Sequence, residues 1–276
     1  MRYRAPAKVN LALGVGPLDA SGYHPLDSVV QAISLSDDVV VEPAARDMVV
    51  VTGDAPPGPD NLAMRAVTAL RRRVDVPPIR IELTTRIPVA AGLGGGSADA
   101  AAALVAAGRL VGFAGDLVPI AAEVGSDVPA LLVGGTTAMT GRGEVVDPLP
   151  AVAGVRWLVA VPPFGAATAA VYRRWDALGG PVGEEKPWPA TTGAIGRPVR
   201  NDLEPAALAE VSGLGQWLAA LGEVAGRPAM VSGSGSTAFV EVDDEAPLEA
   251  ARSHALLGSG RLLATVEPVA HGPRPH

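Results

Sequence analysis

Pro88-Val-Ala-Ala-Gly-Leu-Gly-Gly-Gly-Ser-Ala-Asp99 stands between an alternating run from Ile79 to Thr85 and an alanine-rich run that reads as a helix from Ala98 to Leu110. Glycines permit positive φ and close backbone approach, and free amides at a helix N-terminus, aided by its dipole, favour an anion. The stretch therefore reads as a phosphate cradle. No Gly-Lys-Ser/Thr follows, so it is not a Walker A loop. Pro88 separates the strand from the glycines and no G-x-G-x-x-G lies in a strand-turn-helix context, which sets aside a dinucleotide fingerprint. A flexible turn capped by Ser97 fits the same letters.

Outward from the loop, strands are expected at Arg4 to Val15, Asp27 to Ile33, Asp38 to Glu42, Met48 to Thr52 and Thr136 to Thr140, with helices at Asn61 to Arg73 and Leu117 to Val124. The pattern restarts after Pro150 to Arg156, which sets a lobe boundary between residues 152 and 153. Beyond it come strand Trp157 to Val161, helix Thr168 to Leu178, a long loop from Gly179 to Pro198 and helices within Pro205 to Val224. A strand-loop-strand around Met230 to Val242, helix Ala246 to Leu257, strand Leu262 to Val266 and a frayed tail from Pro268 complete the chain. Strand-like runs without regular βαβ alternation favour an α+β fold.

At 276 residues the chain has room for two lobes, and 48% apolar against 18% charged residues marks a compact globular protein. The net charge of −7, with Arg71-Arg72-Arg73 as its one basic cluster, argues against a nucleic-acid partner. That triplet reads as a helix C-terminus. Without cysteine there is no disulfide, thiolate metal site or thiol catalysis. The N-terminus has no apolar targeting region and no run of about 18 apolar residues occurs, so a cytoplasmic protein without a membrane partner is expected. Of 22 lysines and arginines only Lys8 and Lys186 are lysine, which suggests that position 8 needs a compact ammonium.

Smaller motifs carry possible chemistry. In Ala5-Pro-Ala-Lys-Val-Asn-Leu-Ala-Leu13, Lys8 and Asn10 share one face of a strand, either as functional groups or as a solvated face. Gly22-Tyr23-His24 sets an aromatic face beside an imidazole, which suits a nucleobase or a plain turn. In Gly125-Ser-Asp-Val-Pro129, Asp127 is placed as a helix N-cap with Pro129 in the first turn, or as a carboxylate that takes or orients a hydroxyl proton. Ser232-Gly-Ser-Gly-Ser-Thr237 is a hairpin connection or a close approach to a ligand.

The order of these motifs resembles the GHMP small-molecule kinases over nearly the whole span from Ala5 to Val242. With Gly22-Tyr23-His24, it is similar to the branch acting on a cytidine diphosphate alcohol of the non-mevalonate isoprenoid route. The resemblance implies a two-lobe α+β fold: a ribosomal S5 domain 2-like ATP-binding lobe and a ferredoxin-like C-terminal lobe. It implies ATP and Mg2+ as cofactors and no protein metal ligands. Lys8 and Asp127 match the catalytic pair. Pro88, Ala90, Ala91, Gly92, Leu93, Gly94, Gly95, Gly96, Ser97 and Ala98 match the phosphate loop, with Asn61, Leu62 and Arg86 toward the adenine. Asn10, Tyr23, His24, Thr168, Tyr172, Gly233 and Ser234 match acceptor contacts, the tyrosines enclosing the base. Ala90 and Ala91 stand where some of the family carry glycine.

Overall fold

The structure is a computed structural model that describes residues 1–20, 22–180 and 200–276. Most of the loop expected from Gly179 to Pro198, with Lys186, lies outside the described residues. The first half comprises β1 (Arg2–Val15), β2 (Leu26–Pro43), β3 (Met48–Thr52), α1 (Leu62–Leu70), β4 (Ile79–Thr84), α2 (Gly95–Leu110), α3 (Val118–Ala122), α4 (Val128–Val133) and the hairpin β5 (Thr136–Gly141) with β6 (Val145–Pro148).

The two extended runs expected in β2 are one strand. Its beginning pairs with β5, from Leu26↔Gly141 to Gln31↔Thr136, and its end with β4, from Asp38↔Thr84 to Pro43↔Ile79. β1 runs along both halves, so Ser34-Leu-Ser36, which breaks the alternation, is held inside the sheet. Helix α2 lies against this sheet and α1, and Ala98, Ala100, Ala101, Ala102, Ala103, Ala106 and Ala107 are all buried. Small side chains allow such close packing.

Helix α1 is shorter than expected. Asn61 precedes it and accepts from the Ala63 N–H at 2.9 Å, while the arginine triplet lies past its end in ion pairs: Arg71 with Asp47, Arg72 and Arg73 with Glu123. Likewise α2 begins at Gly95, so Ser97 is inside its first turn and the cap position belongs to Gly94 at φ 71°. That conformation suits glycine.

The second half adds β7 (Trp157–Val161), α5 (Thr168–Ala177), β8 (Arg200–Asn201), α6 (Glu204–Glu210), α7 (Leu214–Ala225), β9 (Met230–Val231), β10 (Ala238–Glu241), α8 (Ala246–Ser253), β11 (Leu262–Val266) and β12 (Arg274–Pro275). Its antiparallel sheet has the order β11-β7-β10-β9. In chain order that is fourth, first, third, second, the ferredoxin-like arrangement. Alternation on β7 divides its burial: Leu158 and Ala160 pack with Trp217, Leu221 and Leu248 of α7 and α8, whereas Trp157, Val159 and Val161 join the core shared with the first lobe.

The expected lobe boundary at 152/153 is crossed twice by later chain. β8 pairs in parallel with β1 at Ala12↔Arg200 and Leu13↔Asn201, and β12 pairs antiparallel with it at Tyr3↔Pro275 and Arg4↔Arg274. The tail expected to fray is thus tied to the first sheet, with the Val269 N–H also donating to Ala32 O at 2.9 Å. Its prolines hide the strand signal, yet proline is tolerated at a sheet edge.

Candidate active site

A cavity of about 710 Å³ opens between the two lobes. Strand β1 supplies its inner wall through Lys8 and Asn10, which are buried rather than solvated. Bulges between Pro6 and Lys8 and between Asn10 and Ala12 interrupt the pairing with β2. They leave the Lys8 N–H for Leu93 O at 3.0 Å and the Asn10 N–H for Ser232 Oγ at 3.2 Å. The strand that carries the ammonium is therefore fixed to both glycine-rich segments.

Lys8 Nζ donates to Asn10 Oδ1 at 2.7 Å and lies 3.6 Å from Asp127 Oδ2. Asn10 Nδ2 donates to Ser28 Oγ at 2.9 Å, whose hydroxyl donates to Ala12 O at 2.7 Å. This chain fixes the carboxamide so that its oxygen faces the ammonium. Asp127 does precede α4, with proline in the first turn, but its side chain makes no cap bond. The carboxylate is free of the helix and faces the cavity.

The glycine loop is held by its carbonyls. Val89 O accepts from Arg261 Nη1 at 2.8 Å, Ala91 O from the Thr237 N–H at 3.0 Å, Gly92 O from Ser232 Oγ at 3.3 Å and Leu93 O from the Lys8 N–H. A trans peptide turns its carbonyl and the following N–H to opposite sides. The N–H groups of Ala90, Gly92, Leu93 and Gly94 therefore face away from the scaffold, and among the described residues none has a protein acceptor. Gly92 is required for close approach: a Cβ there would stand 2.6 Å from Ser232 O and 2.9 Å from Gly235 O, at φ +80°. A row of unpaired amides ahead of an α-helix is an anion site.

Gly92 and Ser97 border the cavity, while Ala91, Leu93 and Ala98 are buried beneath it and Gly95 and Gly96 form the first helical turn. Leu62 touches the loop at Gly96, where a Cβ would lie 3.3 Å from Leu62 Cδ1. Asn61, Leu62 and Arg86 do not line the cavity. Asn61 is occupied as the α1 cap and as donor to Pro56 O at 2.7 Å, and Arg86 pairs with Asp38 at 2.8 Å.

On the outer side, Tyr23, His24, Thr168, Tyr172, Gly233 and Ser234 all line the cavity. Thr168 Oγ1 and Ser234 Oγ are 3.0 Å apart, joining α5 to the serine-glycine loop. The two tyrosines do not face each other directly. His24 stacks on Tyr172 with ring centroids 5.4 Å apart, while exposed Tyr23 carries the Arg142 guanidinium 4.5 Å above its ring. His24 Nδ1 lies 3.0 Å from Gly16 O and Nε2 lies 3.4 Å from Asp176 Oδ1, so both ring nitrogens face oxygen acceptors. Burial, with the charge of Asp127 adding to it, pushes the Tyr172 hydroxyl up to about 12.

Asp176 and Arg142 line the cavity without having been singled out. Asp176 follows Thr168 and Tyr172 at successive intervals of four on α5, so helical spacing could have found it. Arg142 sits in the turn between β5 and β6, where no local pattern marks it.

Comparison with known proteins adds the family. The GHMP kinases N terminal domain matches residues 61–135. The chain is 43% identical over 263 residues to a 4-diphosphocytidyl-2-C-methyl-D-erythritol kinase of Salinispora tropica, covering 86% of this chain and 82% of that one. To the kinase of the same name from Thermobifida fusca it is 41% identical, over 99% and 95% of the two chains. A crystal structure of 4-(cytidine 5'-diphospho)-2C-methyl-D-erythritol kinase superimposes with a TM-score of 0.80 at 34% identity, covering 96% of this chain and 99% of the other. A homoserine kinase from Cytophaga hutchinsonii, at 19% identity and a TM-score of 0.71, shares the fold. No helix among the described residues is long and apolar enough to cross a membrane. With identity at this level over most of both chains, and the two-lobe cavity to match, the protein belongs to the 4-diphosphocytidyl-2-C-methyl-D-erythritol kinase family of GHMP kinases.

Proposed function

We propose that the protein transfers the γ-phosphoryl group of ATP to a hydroxyl of 4-diphosphocytidyl-2-C-methyl-D-erythritol, in isoprenoid precursor synthesis. The observation that carries this reading is the Lys8–Asp127 pair, 3.6 Å apart in a cavity bordered by the amide-bearing loop. The acceptor oxygen attacks phosphorus, the bond from the γ-phosphorus to the β–γ bridging oxygen breaks, and ADP leaves. Asp127 orients the hydroxyl and takes its proton, and Lys8 keeps charge balanced between carboxylate and transferring phosphoryl. Positioning and charge stabilisation do most of the work in such transfers.

Loop amides from Ala90 to Gly94 and the start of α2 hold the β- and γ-phosphates. Magnesium bound with ATP would screen phosphate charge. Among the described residues no group of three or more carboxylates and imidazoles could hold it. Phosphate oxygens and water would supply most of its ligands, and Ser97, which borders the cavity, would be the residue placed to add a hydroxyl. His24 and Tyr172 form an aromatic wall for the base, and Arg142 brings a cation to the cavity mouth.

The test is ADP release by the purified protein with ATP, magnesium and either the cytidyl alcohol, homoserine or mevalonate. Turnover with the cytidyl alcohol alone is expected. Equal or better use of another alcohol overturns the acceptor assignment, and ADP release without any acceptor overturns the transfer.

A further inference from the structure

The segment Arg200–Glu204 enters the first lobe's sheet from the second half of the chain, and its Asn201, Asp202 and Glu204 side chains are each committed to a backbone segment next to the acceptor cavity. Asn201 is 8% exposed and its carboxamide is fully used. Nδ2 donates to Val231 O at 2.7 Å and to Gly233 O at 2.8 Å, and Oδ1 accepts the Leu203 N–H at 3.0 Å. Asp202 Oδ2 accepts the Val15 N–H at 3.2 Å, one residue before Gly16, whose carbonyl holds His24. Glu204 Oε2 accepts the Val231 N–H at 2.7 Å. Val231 is thereby gripped at both its N–H and its carbonyl.

These bonds set the position of Gly233, which has little freedom to move. A Cβ on Gly233 would stand 3.1 Å from Asn10 Oδ1 and 3.6 Å from Lys8 Nζ, so its backbone is packed against the pair that orients Asp127. The next residue, Ser234, meets Thr168. We propose that Arg200–Glu204 is the template of the acceptor pocket and that Asn201 is its positioning residue, acting through Gly233 and Ser234 on acceptor binding. The inference rests on the reading of the cavity as the acceptor site. An amide is required at 201 because both of its partners there are carbonyl oxygens, which only a double donor satisfies. The nucleotide loop shares Ser232 with this grip but is also held by donors outside it, from Arg261, Thr237 and Lys8, so ATP binding depends on it far less than acceptor binding does.

The decisive variant is Asn201→Asp, which keeps shape and the Leu203 bond but replaces both donors by an acceptor facing two carbonyls. Unpaired buried groups of this kind predict an acceptor KM raised about tenfold or more with the ATP KM within about twofold of wild type. A folded variant whose two KM values rise together, or whose acceptor KM is unchanged, overturns the inference while leaving the kinase reading intact. Wild type without turnover on the cytidyl alcohol overturns both. Should Asn201→Asp not fold, Asp202→Ala, at a partly exposed position, decides: an acceptor KM raised about threefold at constant ATP KM is expected from the lost Val15 bond, and no change sinks the proposal.

Discussion

The Lys8 ammonium is held 3.6 Å from the Asp127 carboxylate by a bond to Asn10, not by the carboxylate alone. In the proposed transfer the cation would therefore stay in place when the Asp127 carboxylate takes the proton of the hydroxyl. Asp127→Asn keeps size and removes that acceptor. Turnover should fall by ~10²–10⁴-fold, with the affinity for a non-hydrolysable ATP analogue within about twofold of wild type. Near-normal turnover would reduce Asp127 to the residue that precedes α4.

Space around Lys8 makes the second prediction. A Cβ on Gly94 would meet Lys8 Cγ at 3.1 Å and Leu131 Cδ1 at 3.1 Å, so the lysine stem runs through a closed channel beneath the loop. The planar fork of arginine cannot follow it without displacing the loop or Asn10. Lys8→Arg should lose about 10²-fold or more in kcat/KM despite keeping the charge. Retention of most activity would show that any cation serves.

Local motifs made the site legible: the glycine loop, Lys8 with Asn10, and the Asp127 turn lie within short windows and meet in one cavity. What long-range pairing decides was less readable. β2 looked like two strands because Ser34 and Ser36 break its alternation, and only its separate partners β4 and β5 show why one strand passes through. The C-terminal prolines masked an edge strand on β1. Asn61 and Arg86, placed near the adenine by likeness, are engaged in a helix cap and an ion pair. Asn201 carries no pattern of its own, since its partners lie some thirty residues on.

Ala90 has φ +53°, a left-handed conformation that costs an L-residue about 1–2 kcal/mol. Glycine at this position removes the strain but adds unfolded-state freedom, for a net gain of about 0.5 kcal/mol. Ala91 is the control, because it is buried and has no positive φ. Ala91→Gly should lose about 1–2 kcal/mol from the buried methyl and chain entropy. Chemical denaturation of the two variants checks the contrast, and equal losses would mean that Ala90 is unstrained.

Asp99 is 2% exposed in α2 with Oδ1 unpartnered, and burial, reinforced by the nearby Asp37 carboxylate, holds its pKa well above the usual range. Asp37 accepts the Arg86 and Ile87 N–H groups and neighbours Asp38, whose charge is paired with Arg86. A folded state that keeps its carboxyl proton binds more protons than the unfolded chain once pH exceeds about 4, so stability falls as pH rises through the folded pKa. The slope is at most about 1.4 kcal/mol per pH unit for one proton. Asp99→Asn should flatten that slope above about pH 4 in thermal melts. An unchanged slope would assign the pH dependence to other groups.

Base recognition separates the two tyrosines. Tyr172 is largely buried against His24, whereas Tyr23 is 57% exposed beneath Arg142, so the firm aromatic wall is the His24–Tyr172 pair. Tyr172→Leu should remove stacking of about 1–3 kcal/mol and raise the acceptor KM by about 5–150-fold, leaving the ATP KM nearly unchanged. Tyr23→Leu should act in the same direction but less. Both His24 nitrogens face oxygen acceptors, Gly16 O and Asp176 Oδ1, so the acceptor at this wall is the Asp176 carboxylate, which suits the cytosine amino group and meets an unfavourable oxygen in uracil. A uridyl analogue should therefore bind at least about tenfold more weakly. Equal use of cytidyl and uridyl alcohols, or equal losses for acceptor and ATP in Tyr172→Leu, would mean that this wall is structural and that the base is read elsewhere.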